Sequence, residues 1–79
     1  MDPALDITVT EEPDRHRFVV HVDGRRAGLS SYRRLGDRLV FTHTEVDDAY
    51  GGKGVGGALV REALATVRAR GERIVPLCP

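Results

Sequence analysis

With 79 residues, 12 Lys and Arg against 12 Asp and Glu, and a single cysteine, the sequence has room for one small domain and no net charge to offer a polyanion. One cysteine excludes an internal disulfide, and no run is long and apolar enough to span a bilayer. Met1-Asp2-Pro3-Ala4 lacks the basic and then apolar pattern of a secretory signal. These features predict a cytoplasmic protein with neither nucleic acid nor membrane as partner, and a thin core fits a monomer or weak homodimer.

The first strand is predicted at Ile7-Thr8-Val9, closed by the turn residues Glu11-Glu12-Pro13-Asp14. Arg17–Val22 reads as a second strand ending at Asp23-Gly24, a strong hairpin signal. The return strand runs from Ala27 to Leu35, with Leu29, Ser31 and Arg33 on one face and Gly28, Ser30, Tyr32 and Arg34 on the other. After the Gly36-Asp37 turn, Arg38–Val46 alternates cleanly. That alternation predicts Leu39, Phe41, His43 and Glu45 on one side and Val40, Thr42, Thr44 and Val46 on the other. The period then changes. Val55, Leu59, Ala63, Leu64 and Val67 recur at helical spacing to about Arg70, where Gly71 is a natural stop. Arg73–Leu77 is the last strand, and a helix between two strands predicts a parallel pair. The expected fold is α/β: a mixed, mostly antiparallel sheet whose meander ends in one βαβ unit.

Between strand and helix lies Tyr50-Gly51-Gly52-Lys53-Gly54-Val55-Gly56-Gly57. Glycine inside a helix costs about 0.5–1 kcal/mol against alanine, so a helix start this rich in glycine points to a bare backbone that something must approach. Open N–H groups at a helix N-terminus suit a phosphate or pyrophosphate. A Walker A loop is excluded, because Asp47 stands where its first glycine belongs and Gly54 where Ser or Thr should follow the lysine. Gly52, Gly54 and Gly57 match the dinucleotide fingerprint literally. No acidic residue ends the next strand to hold a ribose, however, and only one βαβ unit exists.

A third motif agrees in both pattern and element order. The loop resembles the acetyl-CoA loop of the GNAT N-acetyltransferase superfamily, with Gly54 and Gly56 at its glycine positions and Gly51 where the family carries Gln or Arg. His43-Thr44-Glu45-Val46 before the loop and Val75-Pro76-Leu77-Cys78-Pro79 at the end resemble a branch of very small GNAT proteins, a likeness covering roughly residues 16–79. The resemblance implies one acetyl-CoA-binding domain over residues 1–79, shorter at its end than members that continue into a further helix. It also implies transfer of an acetyl group to an amine that the sequence does not identify. The cofactor pyrophosphate would lie on Gly51, Gly52, Lys53, Gly54, Val55, Gly56 and Gly57, with the pantetheine arm along the strand ending at Val46.

Acetyl transfer needs a base for the amine and an oriented thioester. In the small branch the cysteine matching Cys78 has been proposed as catalytic, which implies a nucleophile or a neighbour of the thioester. His43 and Glu45, on the strand entering the loop, are the candidate bases. No residues stand at metal-ligand spacing. The alternative is an acyl-CoA-binding module without turnover.

Overall fold

The computed structural model describes residues 6–76. Five strands form one sheet in the order of the sequence: β1 (Ile7–Glu12), β2 (Arg17–Val22), β3 (Arg25–Leu35), β4 (Arg38–Val46) and β5 (Arg73–Pro76). The first four pair antiparallel, and β5 lies parallel to β4 after the single helix α1 (Val55–Ala69). The expected meander and βαβ unit are both present. β1 runs further than the sequence suggests, through Glu11 and Glu12, because both residues pair with β2. The turn is a short 3-10 segment at Pro13–Arg15.

Helix α1 buries Val55, Leu59, Ala63 and Val67, an i, i+4 stripe, against one face of the sheet. There they meet Phe18, Val20, Val22, Tyr32, Leu39 and Phe41, with Leu64 half-buried beside them. Phe18, Tyr32 and Phe41 form an aromatic triangle with centroids 5.6–6.2 Å apart. On the opposite face Val19, Leu29 and Val40 are also buried, although among the described residues no helix packs there.

Two β-bulges re-aim the strands. Opposite β2, Val20 pairs with Gly28 and His21 with Arg26, so Ala27 is an extra residue on β3. Opposite β3, Ser31 pairs with His43 and Tyr32 with Phe41, so Thr42 is an extra residue on β4. The second bulge corrects the expected alternation. Leu39 and Phe41 face the helix, but one inserted residue reverses the parity beyond them. Thr44 and Val46 therefore turn to the helix side, and His43 and Glu45 turn to the uncovered face.

A polar network ties β1 to the end of α1. The Tyr32 hydroxyl donates to Glu11 Oε2 at 2.5 Å, and Arg70 donates to both Glu11 oxygens at 2.8 and 3.3 Å. Arg70 also pairs with Glu72, to which Arg34 donates from β3. Burial pushes the Glu11 carboxyl up, but the Tyr32 and Arg70 bonds and the arginine charges outweigh it and hold it below its ordinary 4.5. Burial, with the bond to Glu11, pushes Tyr32 up to about 12. Glu11 thus contributes stability that is complete above pH 4.5 and lost as the pH falls through its lowered value. The Tyr32 contribution is complete below its ordinary 10.0 and lost as the pH rises towards 12. Tyr32→Phe should cost about 1–3 kcal/mol at neutral pH and flatten the alkaline limb. Thermal midpoints measured from pH 3 to 11 test both limbs.

Candidate active site

The loop between β4 and α1 begins with a 3-10 turn at Asp48–Tyr50. Gly52 and Gly54 then adopt φ of +75° and +77°, a region that side chains rarely enter. Gly54 is the helix N-cap and, being glycine, provides no side-chain acceptor. The first intrahelical bond runs from the Ala58 N–H to the Gly54 carbonyl at 3.0 Å. The N–H groups of Val55, Gly56 and Gly57 accordingly have no partner within the helix, and they carry the positive end of its dipole.

Backbone geometry explains Gly52 and Gly54 but neither Gly56 nor Gly57. A Cβ on Gly56 would sit 3.5 Å from the Val46 side chain, an ordinary contact, and one on Gly57 would meet nothing within 4 Å. Both have helical backbones, where alanine is the better residue. The fold accepts glycine at two positions where it gains nothing from it, both at the open end of the helix. Lys53, the one lysine in the sequence, stands exposed in the same loop.

The end of β4 is held against this loop. Val46 is half-buried on the core, and the Asp47 N–H donates to the Ala27 carbonyl at 2.8 Å. On the uncovered face His43 Nε2 lies 2.9 Å from Glu45 Oε2, with both side chains well exposed at 59% and 61%. The two residues expected to share a face do share one and contact each other, but it is not the face of Leu39 and Phe41. A histidine held by a carboxylate has its ring oriented and can accept a proton at the other nitrogen. Cys78 lies outside the described residues, as does Leu77, the expected last residue of β5.

A feature missed in the sequence is an apolar groove of about 540 Å³ between α1 and the β4–β5 edge, lined by Phe41, Val60, Leu64, Ile74 and Pro76. At its polar side Ser30 and Thr44 share a hydrogen bond of 2.8 Å between their hydroxyls. Thr44 reaches the groove only because of the bulge at Thr42. Its one sequence signal is the apolar pair Val60 and Leu64, which sits beside the core stripe of α1. Among the described residues no helix is long and apolar enough to cross a membrane, and no cluster of side chains could hold a metal ion.

Sheet order, the single crossover helix and the glycine-rich helix start define the α/β fold of the GNAT acetyltransferases. The chain belongs to the GCN5-related N-acetyltransferase family, whose model matches residues 17–79. Among solved structures it is similar to a GNAT family acetyltransferase from Brucella melitensis in complex with acetyl-CoA, at 28% identity and a TM-score of 0.67. That match covers 80% of this chain and 46% of the other. The ribosomal-protein-S18-alanine N-acetyltransferase from Escherichia coli has the same fold at 23% identity and a TM-score of 0.67, over 71% of this chain and 36% of its own. A GCN5-like protein from Staphylococcus aureus, at 22% identity and a TM-score of 0.65, matches over 90% of this chain and 70% of its own. The chain thus spans less than half the length of the first two structures. No curated protein matches it.

Proposed function

We propose that the protein transfers an acetyl group from acetyl-CoA to an amine. The observation that carries this reading is the pair Gly56 and Gly57, bare where neither backbone angles nor packing requires it. An incoming pyrophosphate explains both, since it needs open N–H groups and no Cβ in the way. The Brucella relative, which holds acetyl-CoA, supports the same ligand here. The residues fit it: N–H donors at Val55, Gly56 and Gly57, a backbone made compact by Gly51, Gly52 and Gly54, and the cation Lys53. The groove beside Thr44 and Val60 offers the pantetheine arm an apolar wall next to the strand that ends at Val46.

In the reaction the amine nitrogen forms a bond to the thioester carbonyl carbon, the carbon–sulfur bond breaks, and CoA leaves as the thiolate. The proton that the ammonium loses before attack passes to the His43–Glu45 pair, and the second, released as the amide forms, goes to the departing thiolate. Cys78 is the candidate nucleophile of a two-step route, in which its thiolate attacks the thioester and releases CoA thiolate, and the amine then attacks the acetyl-cysteine carbonyl and releases the cysteine thiolate. Intact mass after incubation with acetyl-CoA and no amine tests that route. The expected result is an acetyl adduct that disappears in Cys78→Ala. An unmodified protein that still turns over would leave direct attack by the amine.

Thermal unfolding tests the ligand. Acetyl-CoA at about a hundred times its dissociation constant should add about 2.7 kcal/mol and raise the midpoint by about 10 °C or more in a domain this small. Gly57→Leu enters open space, so the unliganded midpoint should hold while the acetyl-CoA shift is lost. A shift that survives Gly57→Leu would take the pyrophosphate off the helix start. A shift without CoA release in the presence of any amine would identify an acyl-CoA-binding module instead.

A further inference from the structure

On the helix side of the sheet, one hydroxyl pair is buried where the core does not require it. Ser30 is 2% exposed, and no other serine, threonine, amide or charged residue among those described is buried. It stands in the row Phe18, Ser30, Thr44, between an aromatic ring of the core and the edge of β4. The ladder to β5 runs only from Arg38 to Phe41, so among the described residues Thr44 has no strand beyond it. Alanine and valine would fill the same space without taking a polar group out of water.

Counting hydrogens gives the pair a direction. The two hydroxyl oxygens lie 2.8 Å apart, which uses one of their two hydrogens. Among the described residues Thr44 is the one hydrogen-bond partner of the Ser30 hydroxyl. Were Thr44 the donor, the Ser30 hydrogen would be buried without an acceptor, a costly arrangement. Ser30 therefore donates to Thr44 Oγ1. The Thr44 hydrogen is left over, on a half-buried side chain at the polar side of the groove between α1 and the β4–β5 edge.

That position is next to the chemistry. The Val46 side chain borders Gly56 at the helix start, and Thr44 lies about 7 Å back along β4 at about 3.3 Å per residue. A pantetheine arm that leaves the helix start along β4 passes this hydroxyl on its way to the apolar wall of Phe41, Val60 and Leu64. Glu45, the adjacent residue, points to the opposite face, so the candidate base and the free hydroxyl flank the same stretch of strand edge. A thioester carbonyl can accept a hydrogen bond but has no hydrogen to give, which matches a site offering a single donor.

Resting on the transferase reading above, we infer that Thr44 is a catalytic residue whose hydroxyl donates to the thioester carbonyl oxygen, and that Ser30 is the positioning residue that aims it. As the amine nitrogen bonds to the carbonyl carbon, an electron pair moves onto the oxygen and the bond from Thr44 strengthens. When the carbon–sulfur bond breaks the pair returns, and the hydroxyl keeps its hydrogen throughout. A preorganised donor of this kind accelerates acyl transfer by about 10²–10³.

The test is carbon-13 NMR of acetyl-CoA labelled at the thioester carbonyl, which needs neither an acceptor nor turnover. A Cys78→Ala background keeps the label on CoA. The bound carbonyl resonance should lie downfield of free acetyl-CoA. Thr44→Ser should keep that shift, Thr44→Val should return it to the free position, and Ser30→Ala should reduce it with the threonine intact. Thr44→Val also strands the buried Ser30 hydroxyl and should lower the thermal midpoint by about 4 °C or more. The double variant Ser30→Ala, Thr44→Val should recover the midpoint but not the carbonyl shift, which separates loss of the donor from loss of the fold. A shift that survives Thr44→Val assigns the bond to backbone N–H groups and overturns the inference. A full shift in Ser30→Ala removes Ser30 from its role. Binding is read separately as the acetyl-CoA midpoint shift. No midpoint shift overturns the transferase reading itself, whereas binding with an unmoved carbonyl overturns only the role of Thr44.

Discussion

Glu45→Gln is expected to lower the rate of amine acetylation about a hundredfold or more, within the usual range for removing a general base. The acetyl-CoA midpoint shift should be unchanged. The substitution is close to isosteric, and with 61% of the side chain exposed it leaves no buried group without a partner. It removes the carboxylate that receives the proton, or that orients the imidazole to receive it. The amide can still accept a hydrogen bond from His43, so ring orientation is largely kept and the lost charge is isolated. Rates measured across pH separate the two carriers. If His43 takes the proton with Glu45 as its support, His43→Gln should fall as far as Glu45→Gln. If Glu45 takes it directly, His43→Gln should fall less. A Glu45→Gln enzyme with normal turnover would move the base off β4 altogether.

Most of the fold is legible in the sequence, because hydrophobic period carries it. The switch from alternation in β4 to helical spacing after Gly54 places the crossover. The stripe Val55, Leu59, Ala63 and Val67 names the buried face of α1. The bulge at Thr42 is hidden for a physical reason. Thr42, His43, Thr44 and Glu45 are all polar, so after Phe41 only Val46, at the very end of the strand, reports an inward face, and on paper it reads as an apolar residue of the other face. The slip is visible only once β3 supplies partners. The same holds for Tyr32 and Glu11, 21 residues apart, whose hydrogen bond depends on β1 reaching past its β-branched stretch. The glycine loop is legible as a bare backbone. Which glycines serve the chain's own geometry and which stand free for a ligand is a distinction of φ angles and neighbouring atoms.

Gly28→Ala should be the most damaging one-carbon change in the chain. A Cβ there would lie 2.5 Å from the Glu45 carbonyl oxygen and 3.0 Å from Val46 Cα, both backbone atoms that no rotamer change can move. The two strands must separate where β3 carries its bulge at Ala27 and the Asp47 N–H bonds to the Ala27 carbonyl. Overpacking of this kind costs about 1–3 kcal/mol. In a domain of this size each kcal/mol lowers the midpoint by about 4–8 °C. The displaced atoms belong to the residue that carries the candidate base and to the valine against the glycine loop. Loss of stability should therefore come with loss of acetylation in the fraction that remains folded. Gly57→Ala is the matched control: the same added carbon enters open space in a helix and should raise the midpoint. Opposite signs for the two substitutions would tie the close approach of β3 and β4 to both stability and the site. A Gly28→Ala protein with an unchanged midpoint would mean that the strands part at no cost and that Gly28 does not fix the position of Glu45.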